Sequence, residues 1–224
     1  PTDQGLATIG PSQRITGRMD GMNEKGLVIG YNFMNRRKPG NGFICNMIAR
    51  MILESCGTVD DAVLMLKDMP HRHSYSYVLL DASSESVIVE TTPRDVVIRR
   101  SEVCTNHFEI LKHENRFHLE DSLQRMLTIQ AETKSRLEAV EAFRLFNESD
   151  RGVFSDQYKN WAGTIHTSAY FPQELSVWFA LGGDQEPYKF DFKDWLQGND
   201  VLNNRLYGEV NTDALFLHMD KNVR

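Results

Sequence analysis

The sequence predicts an α+β fold in which antiparallel sheets are covered by pairs of helices. Three observations lead there. The element order runs strands, two helices, strands, two helices, strands, which is not the strict alternation of a parallel βαβ fold. The strand-forming runs follow one another across short polar turns, as in hairpins and meanders. And 41% of the 224 residues are apolar, enough for an ordinary buried core. No internal repeat, low-complexity tract or long Gly/Ser linker interrupts the chain, so residues 1–224 read as one domain.

The elements follow in order. Gln13 to Asp20 and Gly26 to Met34 are two β-compatible runs joined by Gly21-Met22-Asn23-Glu24-Lys25, a polar turn flanked by glycines, and together they predict a hairpin. Ile44, Met47, Ile48, Met51 and Ile52 then recur at helical spacing, and Gly57 stops that helix. Thr58 caps the next one, with Asp60 and Asp61 in its first turn, where the helix dipole favours negative charge, and Pro70 beyond its end. Short β-rich runs follow at Tyr75 to Asp81, Ser86 to Thr91, Asp95 to Arg100 and Val103 to Thr105, an antiparallel meander. Leu123, Met126, Leu127 and Gln130 restore helical periodicity. A second helix is expected to open at Ser135, with Glu138 three residues on as a capping box, and to run to about Phe146. Strands at Gly163 to Tyr170 and Leu175 to Leu181 precede a polar, aromatic-bearing segment from Tyr188 to Trp195.

A net charge of -6 offers no basic footprint for a phosphate backbone and no polybasic patch for a membrane surface, so neither nucleic acid nor membrane is an expected partner. No apolar run is long enough to span a bilayer, and Pro1-Thr2-Asp3-Gln4-Gly5 has neither the charged nor the apolar part of a signal peptide. The chain opens on Pro1 rather than Met, and residues upstream of it are expected. Cys45, Cys56 and Cys104 cannot all pair and have no metal-binding spacing, which favours a reducing compartment, the cytoplasm.

Few side chains stand out for chemistry. Asn32 interrupts an apolar run in Gly30-Tyr31-Asn32-Phe33, where a carboxamide needs partners or a function. Taken alone it reads more simply as an Asn bonded to its own backbone, with a fixed hydrogen-bond donor as the sharper alternative. Asn106 ends a β run in Val103-Cys104-Thr105-Asn106-His107-Phe108 and has the same two readings, turn former or cleft-facing amide. Arg125 lies off the Leu123/Met126/Leu127 stripe, so it is either solvated or a guanidinium aimed at a cleft. His71 and His73 could share one strand face, yet no acidic partner or His-Glu-x-x-His spacing accompanies them, and no metal site is expected. Cys104 beside His107 suggests a Cys/His dyad. A small buried hydrophobe is the simpler role for it, and core positions for the other two cysteines.

The block Asp20-Gly21-Met22-Asn23-Glu24-Lys25-Gly26-Leu27, followed by Gly30-Tyr31-Asn32-Phe33, resembles the choloylglycine hydrolase family, which includes bile salt hydrolases and penicillin V acylases. Thr105-Asn106 and Asp121-Ser122-Leu123-Gln124-Arg125 resemble blocks of the related acyl-CoA:6-aminopenicillanic acid acyltransferases. The resemblance implies an α+β four-layer αββα sandwich, two antiparallel sheets between helix layers, in the N-terminal-nucleophile hydrolase manner. It implies an amide hydrolase or acyltransferase that forms an acyl-enzyme on an N-terminal cysteine freed by self-cleavage, with no cofactor. By position it implies that Asn32 and Asn106 bind the oxyanion or line the pocket, that Arg125 is the active-site arginine, and that Ser74 lies near the acyl pocket. The implied partner is a small-molecule amide or acyl-CoA-like substrate: penicillins, conjugated bile acids, acyl-homoserine lactones and peptide-like amides all suit this chemistry. Multimers are frequent in the family, which makes a homo-oligomer the implied assembly.

This sequence departs from the family pattern in one respect. The segment bearing the cysteine, and the arginine and aspartate that follow it, does not precede Pro1, so the nucleophile is expected upstream and the isolated chain, lacking its first strands, is expected to be inactive. The alternative is a non-catalytic member that keeps the fold as a small-molecule-binding module.

Overall fold

The computed structural model describes residues 5–13, 16–35, 38–116, 118–160, 162–201 and 205–213. The described residues of the first half form eight strands: β1 (Thr8–Ile9), β2 (Ser12–Gln13), β3 (Gly17–Arg18), β4 (Gly21–Asn23), β5 (Val28–Asn35), β6 (Ser74–Leu80), β7 (Ser86–Thr91) and β8 (Val96–Arg99). Six of them form one sheet in the order β1-β4-β5-β6-β7-β8, antiparallel at every pairing, and β2 pairs antiparallel with β3. Helices α1 (Cys45–Ser55) and α2 (Val59–Asp68) connect β5 to β6. The chain then supplies α3 (Glu120–Glu132), α4 (Ala139–Asn147), β9 (His166–Phe171), β10 (Ser176–Leu181), β11 (Tyr188–Asp191) and α5 (Phe192–Leu196), with β11-β10-β9 as a three-stranded sheet. Its residues cluster into two compact units, one of Pro1–Met126, Tyr170–Ser176 and Asp191–Asp200, the other of Leu127–Ala169, Val177–Phe190 and Val201–Arg224.

In the first unit, strand alternation divides side chains between two faces. Ile29, Tyr75, Tyr77, Leu79, Val87 and Val89 are buried together with Ile48, Ile52 and Leu53 of α1 and Val59, Ala62 and Leu66 of α2. Tyr31 and Phe33 pack on the same cluster, and Tyr75 meets their rings at 5.6 and 5.5 Å. Each fully buried side chain of this size stabilises the fold by about 1.5–3 kcal/mol, so the α1/α2 face is the main core. The opposite face carries the other parity. Asn32, Ser76 and Glu90 stand in one row across β5, β6 and β7, with Met34 packed on Phe108, Leu111 and Val97. A segment with little regular structure, residues 101–116, covers that face, its one ordered piece a 3₁₀ turn at Lys112–Glu114.

The helix ends of α2 follow their sequence signals. Thr58 Oγ1 accepts from Asp61 N–H and Asp61 accepts from Thr58 N–H, a complete capping box. Asp81 Oδ2 accepts the first helical N–H, that of Val59, at 3.0 Å.

Three expectations are corrected. The turn residues Gly21 to Asn23 are themselves a strand, paired with β5, and the reversal sits at Glu24–Leu27. Asn23 causes the shift: its Oδ1 accepts from Lys25 and Leu27 N–H, and Gly26 takes φ +80, which glycine tolerates without strain. Gln13 to Asp20 accordingly holds the small β2–β3 hairpin instead of one strand, and its residues 14 and 15 lie outside the described residues. Val103 to Thr105 forms no strand, because Arg99 Nη1 and Ser101 Oγ, not a neighbouring strand, donate to the Val103 carbonyl. Finally, α4 starts at Ala139, and Glu138 is its N-cap without a side-chain bond, so the Ser135–Glu138 box does not form. Its buried stripe, Phe143, Leu145 and Asn147, sets where it begins and ends.

Within the second unit, Phe143 of α4 meets Trp178 of β10 edge-on at 6.2 Å. Asn147 at the end of α4 donates to Thr167 Oγ1 and the Gly182 carbonyl and accepts from Gln185 N–H, joining the helix to the strands. Among the described residues no helix is long and apolar enough to cross a membrane.

Candidate active site

The covering segment brings Asn106 to Phe33, the neighbour of Asn32 on β5. Asn106 Nδ2 donates to the Phe33 carbonyl at 3.0 Å, and Arg125 Nη2 donates to Asn106 Oδ1, also at 3.0 Å. These two partners fix the orientation of the amide, because a carbonyl can only accept and a guanidinium can only donate. One of the two Nδ2 hydrogens is thereby used, and the second is available to an acceptor. Asn32 reaches the same segment from the other side: its Nδ2 donates to the Cys104 carbonyl at 3.5 Å, the long limit of a hydrogen bond. Asn32, Asn106 and Arg125, 93 positions apart at their extremes, thus share one seam between β5, the 104–106 segment and the start of α3.

Helix α3 holds its end of the seam through a buried polar node. Thr105 Oγ1 donates to the Ser122 carbonyl at 3.0 Å, and His107 Nδ1 lies 2.9 Å from Ser122 Oγ and 3.1 Å from Thr105 Oγ1. Ser122 therefore ties the residues on both sides of Asn106 to the first turn of α3, and Arg125 follows within one helical turn. Asp121, four residues before Arg125, accepts from its Nε at 2.9 Å and lies equally close to Nη2, the nitrogen that reaches Asn106, so it holds the guanidinium in place. Arg125 is consequently not a freely solvated side chain: 19% of it is exposed. Burial lowers the pKa of His107, the opposing pull of Glu109 notwithstanding, so the imidazole is neutral near pH 7.

The remaining sequence candidates are placed elsewhere. Ser74 is fully buried opposite Asn35 in the β5–β6 register, and its hydroxyl has no hydrogen-bond partner among the described residues, so no bond links it to the Asn106 seam. His107 is engaged by Thr105 and Ser122, not by Cys104, which leaves no Cys/His dyad there. Burial raises the Cys104 pKa above the ordinary thiol value, and a hydrogen bond from Asn32 and the charge of Arg99 offset only part of that. Cys56 is pushed up to about 11 by burial and by Asp61. Neither is a ready thiolate at neutral pH. His71 donates Nε2–H to the Leu66 carbonyl at 2.7 Å, a buried structural role, and no group of three metal-ligating side chains occurs among the described residues.

One residue of this region has no sequence signal. Glu90, wholly buried on β7, accepts at Oε1 from Arg99 Nε (3.0 Å) and Glu109 N–H (2.8 Å), and at Oε2 from Ile110 N–H (3.1 Å) and Leu111 N–H (2.9 Å). Three consecutive backbone donors on one carboxylate make an anion nest that no local pattern announces, because its partners lie 19 to 21 positions away.

The family model described as acyl-coenzyme A:6-aminopenicillanic acid acyl-transferase matches residues 1–186. Among solved structures, penicillin V acylase from Agrobacterium tumefaciens is similar with a TM-score of 0.57 at 18% identity, covering 85% of this chain and 74% of that one. Two variants of conjugated bile acid hydrolase from Clostridium perfringens are similar with TM-scores of 0.61 and 0.63 at 13% identity, covering 86% and 97% of this chain and 79% and 85% of theirs. The likeness shows the N-terminal-nucleophile hydrolase fold, in line with the α+β class expected from the element order. No curated protein matches the chain.

Proposed function

Because the chain belongs to the acyl-coenzyme A:6-aminopenicillanic acid acyl-transferase family, we propose that it supplies the carbonyl-holding part of an amide hydrolase or acyltransferase that works through an N-terminal cysteine, with Asn32 and Asn106 as the hydrogen-bond donors and Arg125 as the residue that orients Asn106. The observation that carries this is the fixed carboxamide of Asn106, held on one side by Arg125 and on the other by the Phe33 carbonyl, next to Asn32.

In the proposed reaction the cysteine, upstream of Pro1, attacks the substrate carbonyl carbon and its own α-amino group, with an ordinary pKa of about 7.7–8.0, takes the thiol proton. Negative charge develops on the carbonyl oxygen. Side-chain N–H groups already in place receive it without reorganising, and removing one such donor costs about 3–4 kcal/mol of barrier. Collapse of the tetrahedral intermediate breaks the C–N bond, the amine leaves with the proton from the α-amino group, and a thioester remains on the enzyme. Water then releases the acid, or an amine acceptor takes the acyl group. Ser74, buried on the neighbouring strand, is proposed to bound the acyl pocket. No metal or other cofactor takes part in this scheme.

The test is a panel assay of the full-length protein with penicillin V, a glycine-conjugated bile acid, and 6-aminopenicillanic acid with an acyl-coenzyme A. At least one is expected to be turned over. In that reaction Asn106→Ala is expected to slow acylation by about a hundredfold or more with the fold intact. Unchanged turnover removes Asn106 from the mechanism, and tight binding without turnover of any panel member supports the binding-module alternative.

A further inference from the structure

Resting on that assignment of Asn106, we propose that Glu90 is a positioning residue for the reaction: its carboxylate sets where the Asn106 carboxamide stands. The segment from Ser101 to Arg116 carries Asn106 across the face of the sheet and has no strand ladder to fix it. Its main-chain donors need partners, since buried N–H groups left unpaired are costly. Glu90 provides them for residues 109, 110 and 111, starting three positions after Asn106. Arg99 completes the clamp. Its Nε balances the Glu90 charge at 3.0 Å, and its Nη1 lies 2.9 Å from Glu109 Oε1 and 3.3 Å from the Val103 carbonyl, so the same pair grips the segment on both sides of Asn106.

The row that holds Asn32, Ser76 and Glu90 makes this clamp part of the site's frame. One side of the seam stands directly on β5, and the other is suspended from β7 through the Glu90 nest. A shift of about 1 Å in a positioned group can cost about a hundredfold in rate, and that is the tolerance the clamp has to meet.

Replacement by glutamine exposes the role, because both oxygens of Glu90 accept from main-chain N–H groups. Whichever way the amide of Glu90→Gln sits, its NH₂ faces a backbone donor, and the segment must move. In the full-length protein, with the panel substrate that is turned over, Glu90→Gln is expected to lower the acylation rate by about ten- to a hundredfold while KM changes less than about threefold. In an Asn106→Ala background the same substitution is expected to cost less than about threefold, since it acts through that carboxamide. Amide hydrogen exchange at residues 109–111 is expected to quicken at least about tenfold while exchange in β5 and β6 is unchanged. Equal losses in both backgrounds, or unaltered exchange at 109–111, overturn the proposal. Should Asn106→Ala alone leave turnover untouched, the assignment of Asn106 fails and the positioning role falls with it, although quickened exchange would still show that Glu90 anchors the segment. If Glu90→Gln does not fold, Glu90→Asp, which keeps the charge but reaches less far, is measured in the same cycle with the same criteria.

Discussion

Asn23 occupies all four hydrogen-bonding positions of its amide on main-chain groups. Nδ2 donates to the Leu53 and Cys56 carbonyls at 2.9 and 2.7 Å, and Oδ1 accepts from Lys25 and Leu27 N–H at 3.0 Å. It closes the β4–β5 turn and caps the C-terminal end of α1 at once, which explains its place in the family block better than a turn role alone. Asn23→Ala is expected to lower the unfolding free energy by about 3 kcal/mol or more, measured by urea titration, because several buried groups lose their partners together. Arg125→Met, which removes the donor to Asn106 Oδ1, is expected to reduce acylation by at least about tenfold with unchanged thermal stability to within a few degrees; retention of full activity would mean that Asn106 orients without it. At this scale the sequence was informative only with its family blocks. The residues alone left Asn32 as an Asn bonded to its own backbone or a fixed donor, Asn106 as a turn former or a cleft-facing amide, Asn23 as a turn residue and Glu90 unmarked, since what distinguishes them is partners 19 to 73 positions away.

Helix α2 shows how an element is fixed at its start by more than its own residues. Thr58 as the cap, with Asp61 in the first turn, was legible in the sequence; the reciprocal bonds that make the two a capping box, and the further support from Asp81 at the end of β6, were not. Burial pushes the Asp81 pKa upward, and hydrogen bonds from Ser83 and the Val59 and Ser83 main chain outweigh it, so the net shift is downward. A carboxyl with a depressed folded-state pKa contributes its full stability above the unfolded value of about 3.9 and loses it as the pH falls through the lower, folded value. Asp81→Asn is therefore expected to cost about 1–3 kcal/mol at pH 7, and the difference from wild type should narrow as unfolding is measured below about pH 4. A gap independent of pH would show that the charge of Asp81 does not matter. The misplaced start of α4 has the converse explanation: Ser135 and Glu138 have the spacing of a box, but the buried stripe begins later, and burial decides where a short helix forms.

For the whole molecule, the order of elements in the sequence was enough for the α+β class, and the family blocks for the acyltransferase family and its fold. The covering segment 101–116 was not foreseen, because irregular chain has no periodicity to read. The three cysteines, Cys104 in this segment and Cys45 and Cys56 at the two ends of α1, yield a prediction for the intact protein. With Cys45, Cys56 and Cys104 all changed to Ser, turnover of the panel substrate is expected to stay within about threefold of wild type, and mass spectrometry of a trapped acyl-enzyme should place the adduct on none of these positions. Loss of turnover on Cys104→Ser alone would make that thiol the nucleophile instead.

The grip of Glu90 on three peptide nitrogens is indifferent to which amino acids carry them, proline excepted, since it has no N–H to give. Ile110, 49% exposed, can be exchanged for another residue without loosening the hold. A segment secured this way is free to vary in its outward side chains while the Asn106 carboxamide it carries keeps its station.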